Sequence, residues 1–174
     1  VSDFLLDRVK AGDRFQASGP AGHFHHNPLI HGRDLVFIAG GSGVTPFMSM
    51  IREATDRGLD RAIHLVYGNR NESDIIFRDE LAWRAQRHAA FTCTHVISEP
   101  SNGYTGLRGL ITAEVLNRAI GSAEGKTFFL CGPAALYDFC MPELAKLGAP
   151  ANRVRREMFG APLDITASPD GRTE

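Results

Sequence analysis

The chain has 174 residues, a formal net charge of −1 at pH 7, 43% hydrophobic and 22% charged residues. That profile describes a globular domain with enough apolar material for a core, and it lacks the bulk positive charge that a nucleic-acid partner requires. No apolar run reaches membrane-spanning length. The three cysteines, Cys93, Cys131 and Cys140, form no CxxC pair, which argues against a disulfide scaffold or a structural zinc site and for a reducing compartment, the cytoplasm.

Residues 2–13 (SDFLLDRVKAGD) read as a short helix with Ser2 as cap, Phe4, Leu5 and Val9 on one face, and Gly12 as the stop. Residues 14–24 read as a strand followed by a Gly/Pro-rich turn, and residues 25–34 as a linker. The pattern then alternates. Leu35 to Ala39 is a continuous apolar run, as in a strand buried on both faces. Phe47, Met50, Ile51 and Ala54 fall at helical spacing. A strand (AIHLVYG), a helix marked by Phe77, Leu81, Ala85 and His88, and a strand (FTCTHVIS) follow. Next come a helix capped by Thr112 and stopped by Gly121, a strand (TFFLCG), a helix through Leu136, Phe139, Cys140, Leu144 and Leu147, and a strand (RVRREMFG). Strands alternating with helices predict βαβ units: an α/β fold with a doubly wound, five-stranded parallel sheet and helices on both faces.

In such sheets ligands sit beyond the carboxyl ends of the strands. After the first strand stand Gly40, Gly41, Ser42, Gly43, Val44, Thr45 and Pro46. Glycines permit a tight turn and close backbone approach, and the following helix offers free N–H groups and a positive dipole end, which suits a pyrophosphate. Pro46 falls in the first helical turn, where no N–H is needed. The spacing matches neither GxGxxG nor GxxxxGK[ST], and a plain strand–helix turn would use the same glycines. After the second strand stand Gly68, Asn69 and Arg70, an arginine able to pair with phosphate or simply to face solvent. After the third stand Ser98 and Glu99, a carboxylate placed to accept from a ribose hydroxyl or to occupy a surface turn. After the fourth stand Cys131, Gly132 and Pro133. Four successive strand ends with these chemistries form a pattern more specific than any one of them.

With these motifs in family order, the sequence resembles the ferredoxin–NADP reductase superfamily, in particular the NADH-dependent flavoprotein reductase components of oxygenases. The resemblance rests on GGSGVTPFMSMIR, YGNR, ISEP, LCGPAALY and REMFG. It implies an NAD(P)H-binding domain over residues 33–160, preceded by the end of a flavin-binding β-barrel and linker over 1–32 and followed by a linker or tail over 161–174. It implies that hydride passes from NADH to FAD or FMN and that single electrons pass to an iron–sulfur protein or oxygenase component. Gly40 to Thr45 would cradle the pyrophosphate, Thr45 and Cys131 would lie at the nicotinamide, Arg70 and Glu99 would face the adenosine side, and Ser2 and Phe159 would approach the flavin. The barrel's arginine–aromatic–Ser/Thr signature and the ferredoxin cysteine pattern are both missing from the sequence. The chain is therefore expected to be a piece of a longer protein and inactive alone.

Glu99 stands where NADP-specific relatives carry a basic residue, so NADH is expected over NADPH, with Arg108 as the counter-signal. His23, His25, His26 and His31 cluster without a nearby Cys, Asp or Glu at ligand spacing, and no metal site is expected. Cys140 reads as core, and Arg84, Arg87 and His88 as a solvated helix flank. The rival reading is a non-catalytic nucleotide-binding or regulatory module on the same fold.

Overall fold

The computed structural model describes residues 2–17, 19 and 22–158. Five helices, α1 (Ser2–Asp7), α2 (Val44–Asp56), α3 (Arg78–Arg87), α4 (Ala113–Ile120) and α5 (Ala134–Lys146), accompany six strands. The strands are β1 (Asp34–Gly40), β2 (Ala62–Asn69), β3 (Phe91–Ile97), β4 (Leu107–Arg108), β5 (Thr127–Gly132) and β6 (Val154–Met158). They form one sheet in the order β4-β3-β2-β1-β5-β6, with every pairing parallel. The expected doubly wound α/β architecture is present, with six strands rather than five. The additional strand, β4, is two residues long and meets β3 only at Val96 and Ile97, too short to carry any periodicity in sequence. The strand expected from residue 14 is not formed: residues 14–17 lie outside any strand and Phe15 is exposed.

β1 divides the core. Leu35, Phe37 and Ala39 face α2 and α3, packing with Phe47, Ile51 and Leu81. Val36 and Ile38 face α4 and α5, packing with Leu116, Ile120, Cys140 and Leu144. The alternation follows from the two-residue period of a strand, and a strand covered on both faces is apolar throughout. Phe37 and Phe47 stack at 4.7 Å between ring centroids, and each such buried side chain contributes about 1.5–3 kcal/mol.

Local signals set the helix ends. Thr112 accepts a hydrogen bond from Val115 N–H at 3.2 Å, and Gly121 closes α4 with φ 68°. The buried Glu143 carboxylate of α5 accepts from Ala113 N–H at 2.7 Å, so one helix caps another. Arg84, expected to be solvated, is instead buried on α3, bonded to Asp56 at 2.6 Å and to Glu80 at 2.9 Å. The histidine-rich segment docks onto the sheet. His31 Nδ1 accepts from Asn27 N–H at 2.9 Å, its carbonyl accepts from Thr127, and its ring lies beside Arg155 on β6, with Nε2 3.2 Å from the guanidinium.

The chain winds outward from β1 through β2, β3 and β4, then returns to β5 on the other side. The crevice of such a sheet opens where the winding reverses, here between the carboxyl ends of β1 and β5.

Candidate functional site

At that crevice Gly40 ends β1, residues Gly41–Gly43 form a short 3₁₀ turn, and α2 begins at Val44. The glycines answer two different demands. Gly41 has φ 51° with open space where a Cβ would stand, so its demand is conformational. A Cβ on Gly43 would lie 2.1 Å from the Cys131 carbonyl oxygen, and one on Gly132 would lie 2.8 Å from Leu136 and 3.1 Å from Gly40 N. Those two positions let the ends of β1 and β5 close on each other. Part of the glycine signal read as ligand approach is therefore backbone packing.

Neither the 3₁₀ turn nor α2 carries a side-chain cap. The first N–H groups of a helical turn have no intrahelical acceptor, so this end presents donors and a positive dipole. Ser42 and Thr45 are exposed, Val44 is buried, and Thr45 Oγ1 donates to the Ser42 carbonyl at 3.0 Å. Pro46 sits in the first turn of α2 and removes one N–H that would lack a partner.

Beside the turn lies a cleft of about 670 Å³. Of the residues singled out from sequence, Gly40, Gly41, Gly68, Asn69, Arg70, Ser98 and Pro133 line it. Asn69 is 7% exposed, and neither of its amide atoms has a hydrogen-bond partner. Glu99 does not line this cleft but the neighbouring one beside Asn71, Arg78 and Tyr104, with its carboxylate 3.4 Å from Arg70 Nε. The two strand ends are joined through Ser98 N–H to the Asn69 carbonyl at 3.0 Å and Glu99 N–H to the Arg70 carbonyl at 2.8 Å. Arg108 is engaged elsewhere, donating to the Tyr104 carbonyl.

Cys131 is fully buried and belongs to the core on the α2 side, with Val44 and Phe47; it does not line the cleft. Burial, with Glu157 second, pushes its thiol up to about 12, so it is a neutral packing group. Gly132 lies beneath the turn against Gly40. The side chain of Ser2 and the whole of Phe159 fall outside the described residues.

Several residues at or behind the cleft were not singled out as site residues from sequence. Leu110, Ile111, Leu136 and Phe139 make the wall largely apolar, and Asp74 adds a carboxylate. Tyr67 is fully buried, and its hydroxyl reaches Gly41. The helical spacing of Leu136 and Phe139 marked a core face, and the cleft uses the edge of that face.

Residues 37–141 match the family model of the oxidoreductase NAD-binding domain. The chain belongs to that family, within the ferredoxin–NADP reductase superfamily. NADH-cytochrome b5 reductase 1 of Cryptococcus neoformans is 32% identical over 158 residues, covering 85% of this chain and 53% of that protein. The ferredoxin reductase component of the 3-ketosteroid-9-alpha-monooxygenase of Rhodococcus rhodochrous is 31% identical over 161 residues, covering 92% and 43%. The cytochrome b5 reductase domain of Ulva prolifera nitrate reductase superposes with a TM-score of 0.80 at 28% identity, covering 90% of this chain and 64% of that one. The chain spans about half the length of the curated relatives it matches. Among the described residues no helix is long and apolar enough to cross a membrane.

Proposed function

We propose that this chain is the nucleotide-binding part of a flavin-dependent reductase that takes hydride from NADH, passes it to FAD or FMN, and sends single electrons to an iron–sulfur protein or oxygenase component. The observation that carries the reading is the uncapped glycine turn at the crevice of the sheet, opening onto a cleft with an apolar wall and a rim arginine. Its parts fit a dinucleotide. The turn's N–H groups and the α2 dipole bind a pyrophosphate, Leu136 and Phe139 cover an apolar ring face, and Arg70 adds positive charge at the rim. Glu99 accepts from a ribose hydroxyl and repels an additional phosphate, which favours NADH over NADPH. Thr45 stands at the exposed start of α2 toward the nicotinamide, and buried Cys131 backs the turn there.

When bound, the nicotinamide supplies the hydride and a flavin converts the electron pair to single electrons. The residues of this chain orient the nucleotide and exclude water. A flavin domain is the first partner, and a cytoplasmic setting fits the three free cysteines. Full burial of Cys131 favours a second reading, a non-catalytic NAD-binding module, because the thiol then serves packing alone. Calorimetric titration with NAD+ tests the binding claim, and absence of saturable binding ends it. Reduction of an artificial acceptor by NADH after fusion to a flavin-binding barrel distinguishes the two readings. No rate above background leaves only the binding module.

A further inference from the structure

We infer that Tyr67 is a positioning residue that fixes the orientation of the Gly41–Ser42 peptide, so that the Ser42 N–H faces an anionic ligand. This deepens the NAD-binding reading and rests on it. Tyr67 stands opposite Ala39 in the β1–β2 register, and its ring is buried in the core on the α2 side. Its single O–H donates to the Gly41 carbonyl at 2.9 Å. A trans peptide directs its C=O and N–H to opposite sides. With the Gly41 carbonyl held inward by the hydroxyl, the amide of Ser42 is directed outward.

The need for such a tie comes from Gly41 itself. A glycine at φ 51° has open space around its missing Cβ and crosses between backbone basins more freely than any other residue. Within the turn the Gly41 carbonyl accepts from Val44 N–H, and Tyr67 adds the tie from outside the turn that keeps this peptide from flipping and presenting a carbonyl to the ligand. The Tyr67 ring is rigid and packed on all sides, so its hydroxyl is a fixed point.

The same oxygen accepts from Ile76 N–H at 3.3 Å. Ile76 lies two residues past Asp74, which lines the cleft, and just before Phe77, which adopts a left-handed φ of 59°. One hydroxyl thus joins the glycine turn to the β2–α3 loop. The same end of β2 lines the cleft through Asn69, which is 7% exposed and next to the Tyr67 hydroxyl, and whose amide atoms are buried with no partner at hydrogen-bond geometry. Burial keeps the Tyr67 phenol protonated, so the donor persists across the physiological range.

Tyr67→Phe removes the hydroxyl and keeps the ring. The test compares the full chain and this variant by amide NMR titration with ADP-ribose, adenosine and inorganic pyrophosphate. In the wild type, pyrophosphate shifts the Ser42 amide resonance. In Tyr67→Phe, ADP-ribose binding weakens about 5- to 10-fold while adenosine binding is unchanged. Equal weakening of both ligands signals general loosening and overturns the inference, as does an unchanged ADP-ribose affinity. If the wild type binds NAD+ and pyrophosphate leaves Ser42 unmoved, the inference fails while the binding reading stands, whatever the folding of the variant. If the wild type binds neither NAD+ nor ADP-ribose, both fail.

Discussion

Gly43 rests against the carbonyl of Cys131, so close that a Cβ on Gly43 would lie 2.1 Å from that oxygen. The atoms in the way are backbone on both sides, so neither can yield by changing a rotamer. Gly43→Ala is therefore expected to destabilise the fold by about 2–3 kcal/mol and to displace the turn. Gly41→Ala meets no obstacle but requires a left-handed alanine, at a cost of about 1 kcal/mol. Thermal denaturation of the two variants checks the order. Equal losses would mean that packing at Gly43 is not what demands the glycine.

Cys131 combines complete burial with a thiol raised from an ordinary 9.0 to about 12. Because the folded-state value is the higher one, the thiol form contributes stability that is intact below pH 9 and is lost as pH rises toward 12. Iodoacetamide at pH 8 is expected to label Cys131 only at the rate at which the protein opens. Rapid labelling of the folded chain would show an accessible thiolate.

Glu80 accepts from Arg52 at 2.9 Å and from Arg84 at 2.9 Å, and these partners hold its carboxyl down at about 2. A depressed carboxyl contributes stability above the unfolded value, which is lost as pH falls from the usual 4.5 toward 2. Glu80→Gln should reduce stability at pH 7 by about 1 kcal/mol, the size of a partly exposed network, and by little at pH 2. Urea denaturation across that range measures the difference, and a gap that does not narrow with acid contradicts the assignment.

The bond from Val115 N–H to Thr112 makes the start of α4 a direct test of capping. Thr112→Ala is expected to cost about 1 kcal/mol and Thr112→Ser to restore most of it. Equal stability of the alanine and serine variants by chemical denaturation would place the α4 cap with Glu143 alone.

The Arg70–Glu99 pair sets the expected cofactor preference. Glu99→Arg should shift the ratio of NADPH to NADH affinity toward NADPH by about tenfold, through one more cation and one fewer anion. Binding constants for both nucleotides check this, and an unchanged ratio removes Glu99 as the reader.

Much of the architecture was legible because β1, β2, β3 and β5 are apolar-rich runs separated by helical periods, and β6, although it carries Arg155, Arg156 and Glu157, follows the last helix in the same alternation. β4 was not, since two residues such as Leu107 and Arg108 have no period and are strand only because β3 offers an edge. Phe15 looked like strand, and among the described residues it has no sheet partner to make it one. Arg84 looked solvated because it is charged and was grouped with Arg87 and His88 on one helix flank, while what buries it, Asp56 and Thr55, comes from another helix. At the crevice the glycines were legible and their reasons were not. The contact between Gly43 and Cys131 joins residues far apart in sequence, and the hydroxyl of Tyr67 has the same one-letter code whether or not it meets a carbonyl.

The alternate faces of β1 have a dynamic consequence. Leu35, Phe37 and Ala39 belong to one core and Val36 and Ile38 to the other, so side-chain rearrangements on the α4–α5 side have no direct packing route to those under α2. The two sides meet through the backbone at Gly40 and Gly132. The sheet thus acts as a partition, and loosening at Leu144 or Ile120 can leave the geometry of the glycine turn intact.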